Sequence, residues 1–103
     1  MNPTLWRVPD DHPAFAGHFP GAPILPGVVI LDVALNVIAE AHQLRLDQCE
    51  IGSAKFLNPV RGGDTLAFHH RRLASGTIQF EVRLSDALVA SGTLLPLSTN
   101  ESA

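Results

Sequence analysis

Hydrophobic positions follow two rhythms along this chain. From Cys49 onward they alternate with polar ones, and the period of two predicts strands over Cys49–Leu57, Thr65–Leu73, Thr77–Leu84 and Leu88–Leu95. In Thr77–Leu84 the residues Ile78, Phe80, Val82 and Leu84 share one face. Gln79, Glu81 and Arg83 share the other, so one face of the sheet meets water. Gly62-Gly63-Asp64, Ser75-Gly76 and Ser85-Asp86-Ala87 supply turns, and Leu5–Val8 reads as a further short strand.

The second rhythm lies over Val28 to about Leu44. Val29, Ile30, Leu31, Val33, Leu35, Val37 and Ile38 cover almost every direction of a helix, which predicts a helix buried nearly all round. Pro26 and Gly27 mark its start. Its polar residues, Asp32, Asn36, Glu40 and then Gln43, stand four and then three apart and form one thin stripe. Ahead of it, Pro9–Gly27 is a long loop holding five prolines, three glycines, His12 and His18. Phe and Pro dominate over Ser and Glu there, so it reads as ordered and packed. The layout is strand, loop, buried helix and a four-strand meander. It predicts an α+β domain in which a curved antiparallel sheet wraps around one central helix. One domain spans 1–97, and 98–103 form a flexible polar tail.

The 103 residues fit one domain. A chain this short buries only about 60–65% of its unfolded surface. Its mean hydropathy is nevertheless positive. That combination suggests either a buried centre or a partner subunit that covers part of the apolar surface. A formal charge of −3 argues against nucleic acid as a partner. Cys49 is the only cysteine, so no internal disulfide is possible and a reducing compartment, the cytoplasm, is expected. No secretory signal opens the sequence. Ala22–Ala39 is apolar enough to suggest a membrane span, but Pro23 and Pro26 break its start and Asp32 sits inside it. A central charge costs roughly 2.5–3.5 kcal/mol on insertion scales, so no membrane association is expected.

Three residues could carry chemistry. An imidazole can titrate near neutral pH, so His18 could act as a general base, although a turn histidine bonded to backbone accounts for it as well. Asp32 is a carboxylate among valines and leucines; burial would raise its pKa and keep a general acid loaded, or it could simply fix helix register. The N–H of Gly27, at the positive end of the helix dipole, could polarise a carbonyl, or the glycine could merely start the helix. His69-His70-Arg71-Arg72 is a charged strand whose neighbours point to opposite faces, so it is not one ligand cluster. No Cys or His pair has zinc spacing.

The string HFPGAPILPGVVILDVAL, from His18 to Leu35, resembles the active-site motif of the 3-hydroxyacyl-(acyl-carrier-protein) dehydratases, which have the hot-dog fold. Pro26, Gly27 and Asp32 fall in register with the motif, and Asp is the carboxylate of the branch that also isomerises the double bond. Ala54–Asp64 is similar to the family's Phe-x-x-Pro-Val-x-x-Gly-Asp turn. The resemblance implies that His18 removes the C2 proton of a 3-hydroxyacyl thioester, Asp32 protonates the departing hydroxyl, and the Gly27 N–H holds the thioester carbonyl. It implies substrate contacts at Gly27, Asn36, Phe19 and Phe56, no cofactor or metal, and a role in fatty-acid or polyene biosynthesis. Lys55, Arg61, Arg71 and Arg72 would meet an acidic acyl carrier protein. Pro20, Pro23 and Pro26 stiffen the segment joining His18 to Asp32, and the resemblance implies that each site takes the two residues from different subunits of a homodimer, or of a heterodimer with another hot-dog chain. The sequence departs from the family in lacking an additional first strand and short helix, in having Asn36 where the family has Gln, and in having no tyrosine. A hot-dog thioesterase would use the carboxylate but leave His18 unexplained. A non-catalytic partner subunit would fit the short start but not the intact His18 and Asp32.

Overall fold

A computed structural model describes residues 2–15 and 24–97; His18, Phe19 and the 98–103 tail lie outside the described residues. Strand β1 is Thr4–Arg7, followed by helix α1 over Gly27–His42 and strands β2 (Cys49–Phe56), β3 (Thr65–Arg72), β4 (Ile78–Leu84) and β5 (Ala87–Pro96). All pairings are antiparallel. The alternating segments are therefore strands to within a few residues at either end.

Strand order corrects one expectation. The sheet runs β1-β3-β4-β5-β2, so only β3, β4 and β5 form a meander. β2 does not pair with β3; it closes the far edge against β5. The link between β2 and β3 crosses the end of the sheet. Leu57 N–H donates to Val89 O at 2.8 Å at its start, and Leu25 N–H to Val60 O at 2.7 Å at its middle. Val8 N–H donates to Asp64 O at 2.8 Å at its far end. No hairpin is possible with a segment so committed to three different neighbours.

The core lies between α1 and the inner face of the sheet. Ile30, Ala34 and Ile38 meet Leu66, Phe68, Ile78, Phe80, Val82, Val89, Ala90 and Leu94, all buried. Spacing of four places the three helix residues on one stripe. The sheet residues are the even positions of β3 and β4, as the alternation requires. Gln79 and Glu81 stand exposed on the outer face.

The helix itself is not buried all round. Val29, Leu31, Val33, Leu35 and Val37 are half-buried, and Asp32, Asn36 and Glu40 are exposed. One curved sheet can cover only one side of a helix, and the apolar residues beyond that stripe are left partly open in the single chain. At its C-terminal end Gln43 takes the left-handed conformation (φ 56°, ψ 50°), which ends the helix before Leu44.

Candidate functional site

The N-terminal end of α1 opens onto a cavity of about 300 Å³ lined by Ile24, Leu25, Gly27, Ile30, Phe56, Leu57, Asn58 and Pro59. Three elements build it. The segment before the helix supplies Ile24 and Leu25, β2 ends in it with Phe56, and the crossover to β3 floors it with Asn58 and Pro59. Asn58 fixes that floor by donating from Nδ2 to Leu88 O at 2.7 Å.

Gly27 is the first helical residue, after Pro26 in the extended conformation (φ −60°, ψ 143°). Its N–H is among the first-turn amides that have no acceptor inside the helix. The Phe56 ring lies directly on it: a Cβ at position 27 would stand 3.0 Å from both Cδ1 and Cε1 of that ring. Glycine is therefore what lets an aromatic ring close against the helix start. The structure brings the expected contacts Gly27 and Phe56 together.

Asp32 lies five residues further on, about 7.5 Å along the axis. It does not line the cavity. Burial of its carboxylate is not observed; it stands exposed in the single chain. The reason is the one-sided cover of α1. Asn36, expected to touch substrate, bonds within the helix to Asp32. Its Nδ2 donates to Asp32 O at 2.8 Å and lies 3.5 Å from Asp32 Oδ1. The shorter amide thus anchors to the backbone one turn back and reaches the carboxylate only weakly.

The four cations do not share one place. Arg61 sits in the crossover, two residues beyond Pro59 of the cavity floor, its backbone N–H donating to Asp64 Oδ2 at 2.9 Å. Lys55 and Arg71 line a separate depression on the outer face of the sheet. Arg72 is exposed at the end of β3.

One constellation at the opposite end of α1 was not foreseen. His42, in the last helical turn, meets His70 of β3 with Nε2 and Nδ1 2.9 Å apart. Burial pushes the His70 imidazole below its ordinary value, and the neighbouring His42 and His69 push the same way. The alternation of β3 turns His70 inward, but its partner lies 28 positions away, so no local pattern pairs them.

A helix half-wrapped by an antiparallel sheet, with a glycine-started N-terminus open to a cavity and a carboxylate beyond it, defines a hot-dog domain. A model of ApeI-like dehydratases (ApeI dehydratase) matches residues 4–93, and the chain belongs to that family. It is 45% identical over 65 residues to a 3-hydroxyacyl-[acyl-carrier-protein] dehydratase FabZ of Chlamydia trachomatis, covering 54% of this chain and 42% of that one. It is 37% identical over 94 residues to the FabZ of Thermotoga petrophila, covering 81% and 66%. The chain thus spans about two fifths to two thirds of the length of these relatives. The solved dehydratase heterocomplex ApeI:P from Xenorhabdus doucetiae superimposes with a TM-score of 0.71 at 23% identity, over 91% of this chain and 84% of that one. It has the same fold. Among the described residues no helix is long and apolar enough to cross a membrane.

Proposed function

We propose that this chain dehydrates a 3-hydroxyacyl thioester, delivered on an acyl carrier protein, to the 2-enoyl thioester. The observation that carries the reading is family membership over residues 4–93, joined to a Pro26-Gly27 helix start that opens on an apolar cavity with Asp32 on the same helix. The thioester carbonyl accepts from the Gly27 N–H, where charge gathers as the C2 proton leaves. His18 takes that proton. The C2 electron pair forms the double bond as the C3–O bond breaks, and Asp32 protonates the oxygen so that water departs. His18 then releases its proton and Asp32 is reloaded.

A general acid has to hold its proton near neutral pH, and covering a carboxyl with apolar surface is what achieves this. In the single chain Asp32 is open to water. A second subunit completes the site. The edge strand β2 and its surroundings fit such a partner, because Ile51, Phe56 and Leu57 are about half exposed and Val28 is 70% exposed. An exposed edge with apolar side chains invites pairing. The partner is a second copy of the chain, supplying His18 to the Asp32 of its mate. The ApeI:P heterocomplex favours a second reading, in which the mate is a different hot-dog chain. The carrier meets Arg61, two residues beyond the cavity floor. Charge reversal at Arg61 is expected to weaken turnover of carrier-linked substrate more than that of a short pantetheine thioester; equal effects would remove Arg61 from the docking surface.

The direct test is an assay of the purified protein with 3-hydroxyacyl and 2-enoyl thioesters, following the enoyl absorbance. Interconversion of the two supports the reading. Release of free thiol without enoyl formation would make the protein a thioesterase. No turnover alone, with turnover on adding a second hot-dog chain, would make it half of a mixed pair.

A further inference from the structure

The outer face of the sheet carries a depression of about 570 Å³ that the dehydratase reading does not use. Two cross-strand rows line it. The pairings Lys55–Ser91, Ser91–Glu81 and Glu81–His69 make one row across β2, β5, β4 and β3. The pairings Ser53–Thr93, Thr93–Gln79 and Gln79–Arg71 make the next. Residues two apart on a strand point the same way, so the eight side chains share one surface. Its floor is small and hydroxylic. Ser53, Ser91 and Thr93 lie in the middle, with the Ser53 and Thr93 oxygens 3.2 Å apart. Lys55 rises on one side and Arg71 with His69 on the other, about 14 Å apart at the backbone across three strand spacings.

The charges are arranged for an anion. The chain as a whole is acidic, at −3. Yet among the described residues neither Lys55 nor Arg71 is in an ion pair; the pairs are Arg7–Asp10, Arg45–Asp47 and Arg83–Glu81. Arg71 gives Nε and Nη2 to the neutral Gln79 Oε1 at 3.3 and 3.2 Å, an acceptor that a charged oxygen would displace. The one carboxylate in the lining, Glu81, is answered by Arg83 Nε at 3.1 Å. We propose that this trough binds a small phosphate ester, with Lys55 and Arg71 gripping the phosphate over the hydroxyls of Ser53, Ser91 and Thr93. Two cations flanking a floor of three hydroxyls offer more donor groups than a carboxylate's two oxygens can use and suit a phosphate's three or four. The volume falls within the roughly 300–1,000 Å³ range of small-molecule sites. The site lies on the face opposite the Gly27 cavity, and its existence does not depend on the dehydratase reading.

The test is an amide chemical-shift titration of the ¹⁵N-labelled chain with adenosine 5′-monophosphate, inorganic phosphate and adenosine as separate probes. Saturable shifts at Ser53, Ser91 and Thr93 with the nucleotide and, more weakly, with inorganic phosphate are expected, and none with adenosine. The exposed pair Lys55→Gln/Arg71→Gln is expected to lower affinity on the order of tenfold or more without changing the melting temperature. Arg45→Gln, on a distant turn, is expected to leave it unchanged. Absence of saturable shifts at those amides, equal binding of adenosine, or equal losses in the Arg45 and the Lys55/Arg71 variants would each overturn the proposal.

Discussion

The two ends of α1 are built to opposite purposes. At the N-terminal end the first residue is glycine, the adjacent wall is the ring of Phe56, and Gly27, whose N–H has no acceptor inside the helix, lines a cavity. At the C-terminal end the chain turns in the left-handed conformation at Gln43, Leu44 N–H bonds Ala39 O at 2.8 Å, and His42 is tied to His70. One end leaves polar groups unspent and keeps space beside them. The other satisfies its groups within the fold. Chemistry belongs at the end where donors and volume are left over, and stability at the end where they are used.

The comparison can be broken most sharply at Asp32. Because Asp32 is exposed, Asp32→Asn is expected to leave the melting temperature of the single chain nearly unchanged while dehydratase turnover falls on the order of 10²–10⁴-fold. Loss of stability with retained turnover would reverse the assignment.

Gly27→Ala comes next. Alanine is the better helix former by about 1 kcal/mol, but its Cβ would press on the Phe56 ring at 3.0 Å. Displacement of the ring from the cavity wall is expected to cost roughly tenfold or more in turnover, about 1.4 kcal/mol of transition-state stabilisation, with little change in melting temperature. Gly27→Ala combined with Phe56→Ala removes the clash, so the two changes are expected to be non-additive in melting temperature and in turnover.

The C-terminal end is expected to respond to pH rather than to substrate. Since His70 is held below its ordinary value of 6.5, the fold favours its neutral form. The contribution is then fully present above pH 6.5 and is lost as pH falls through the lower folded-state value. Urea melts at descending pH should show stability falling in that acid range, and His70→Gln should flatten the slope. Loss of the hydrogen bond itself is expected to cost about 1 kcal/mol.

Smallest of all is the exposed Arg45–Asp47 pair just beyond the helix, at 3.0 Å. Its removal by Asp47→Ala should change stability by less than about 1 kcal/mol.

Much of this was readable beforehand, for reasons that can be stated residue by residue. Ile78, Phe80 and Val82 alternate with exposed or half-buried Gln79, Glu81 and Arg83, so the strand and its wet face follow from period two. Pro26-Gly27 marked the helix start to within one residue. Sheet order did not follow, because alternation says which face a residue takes and not which strand lies beside it. The crossover from β2 is fixed by hydrogen bonds to Val89, Leu25 and Val8, and none of these is local. The exposure of Asp32 was misread for a related reason. Valines and leucines all round a helix show that it wants cover on every side, but one chain supplies a single sheet. His42–His70 and the outer trough were invisible, since each is assembled from strands and a helix distant in sequence.

The account turns on a site shared between two subunits, and subunit mixing tests it most directly. Full-length His18→Ala and Asp32→Asn proteins are each expected to be inactive with a 3-hydroxyacyl thioester. After subunit exchange, verified by mass-tagged mixed dimers, each mixed dimer should hold one intact site and one doubly defective site, so activity should return to about a quarter of wild type in an equal, freely exchanged mixture. A mixture that stays dead although mixed dimers have formed would contradict the shared site.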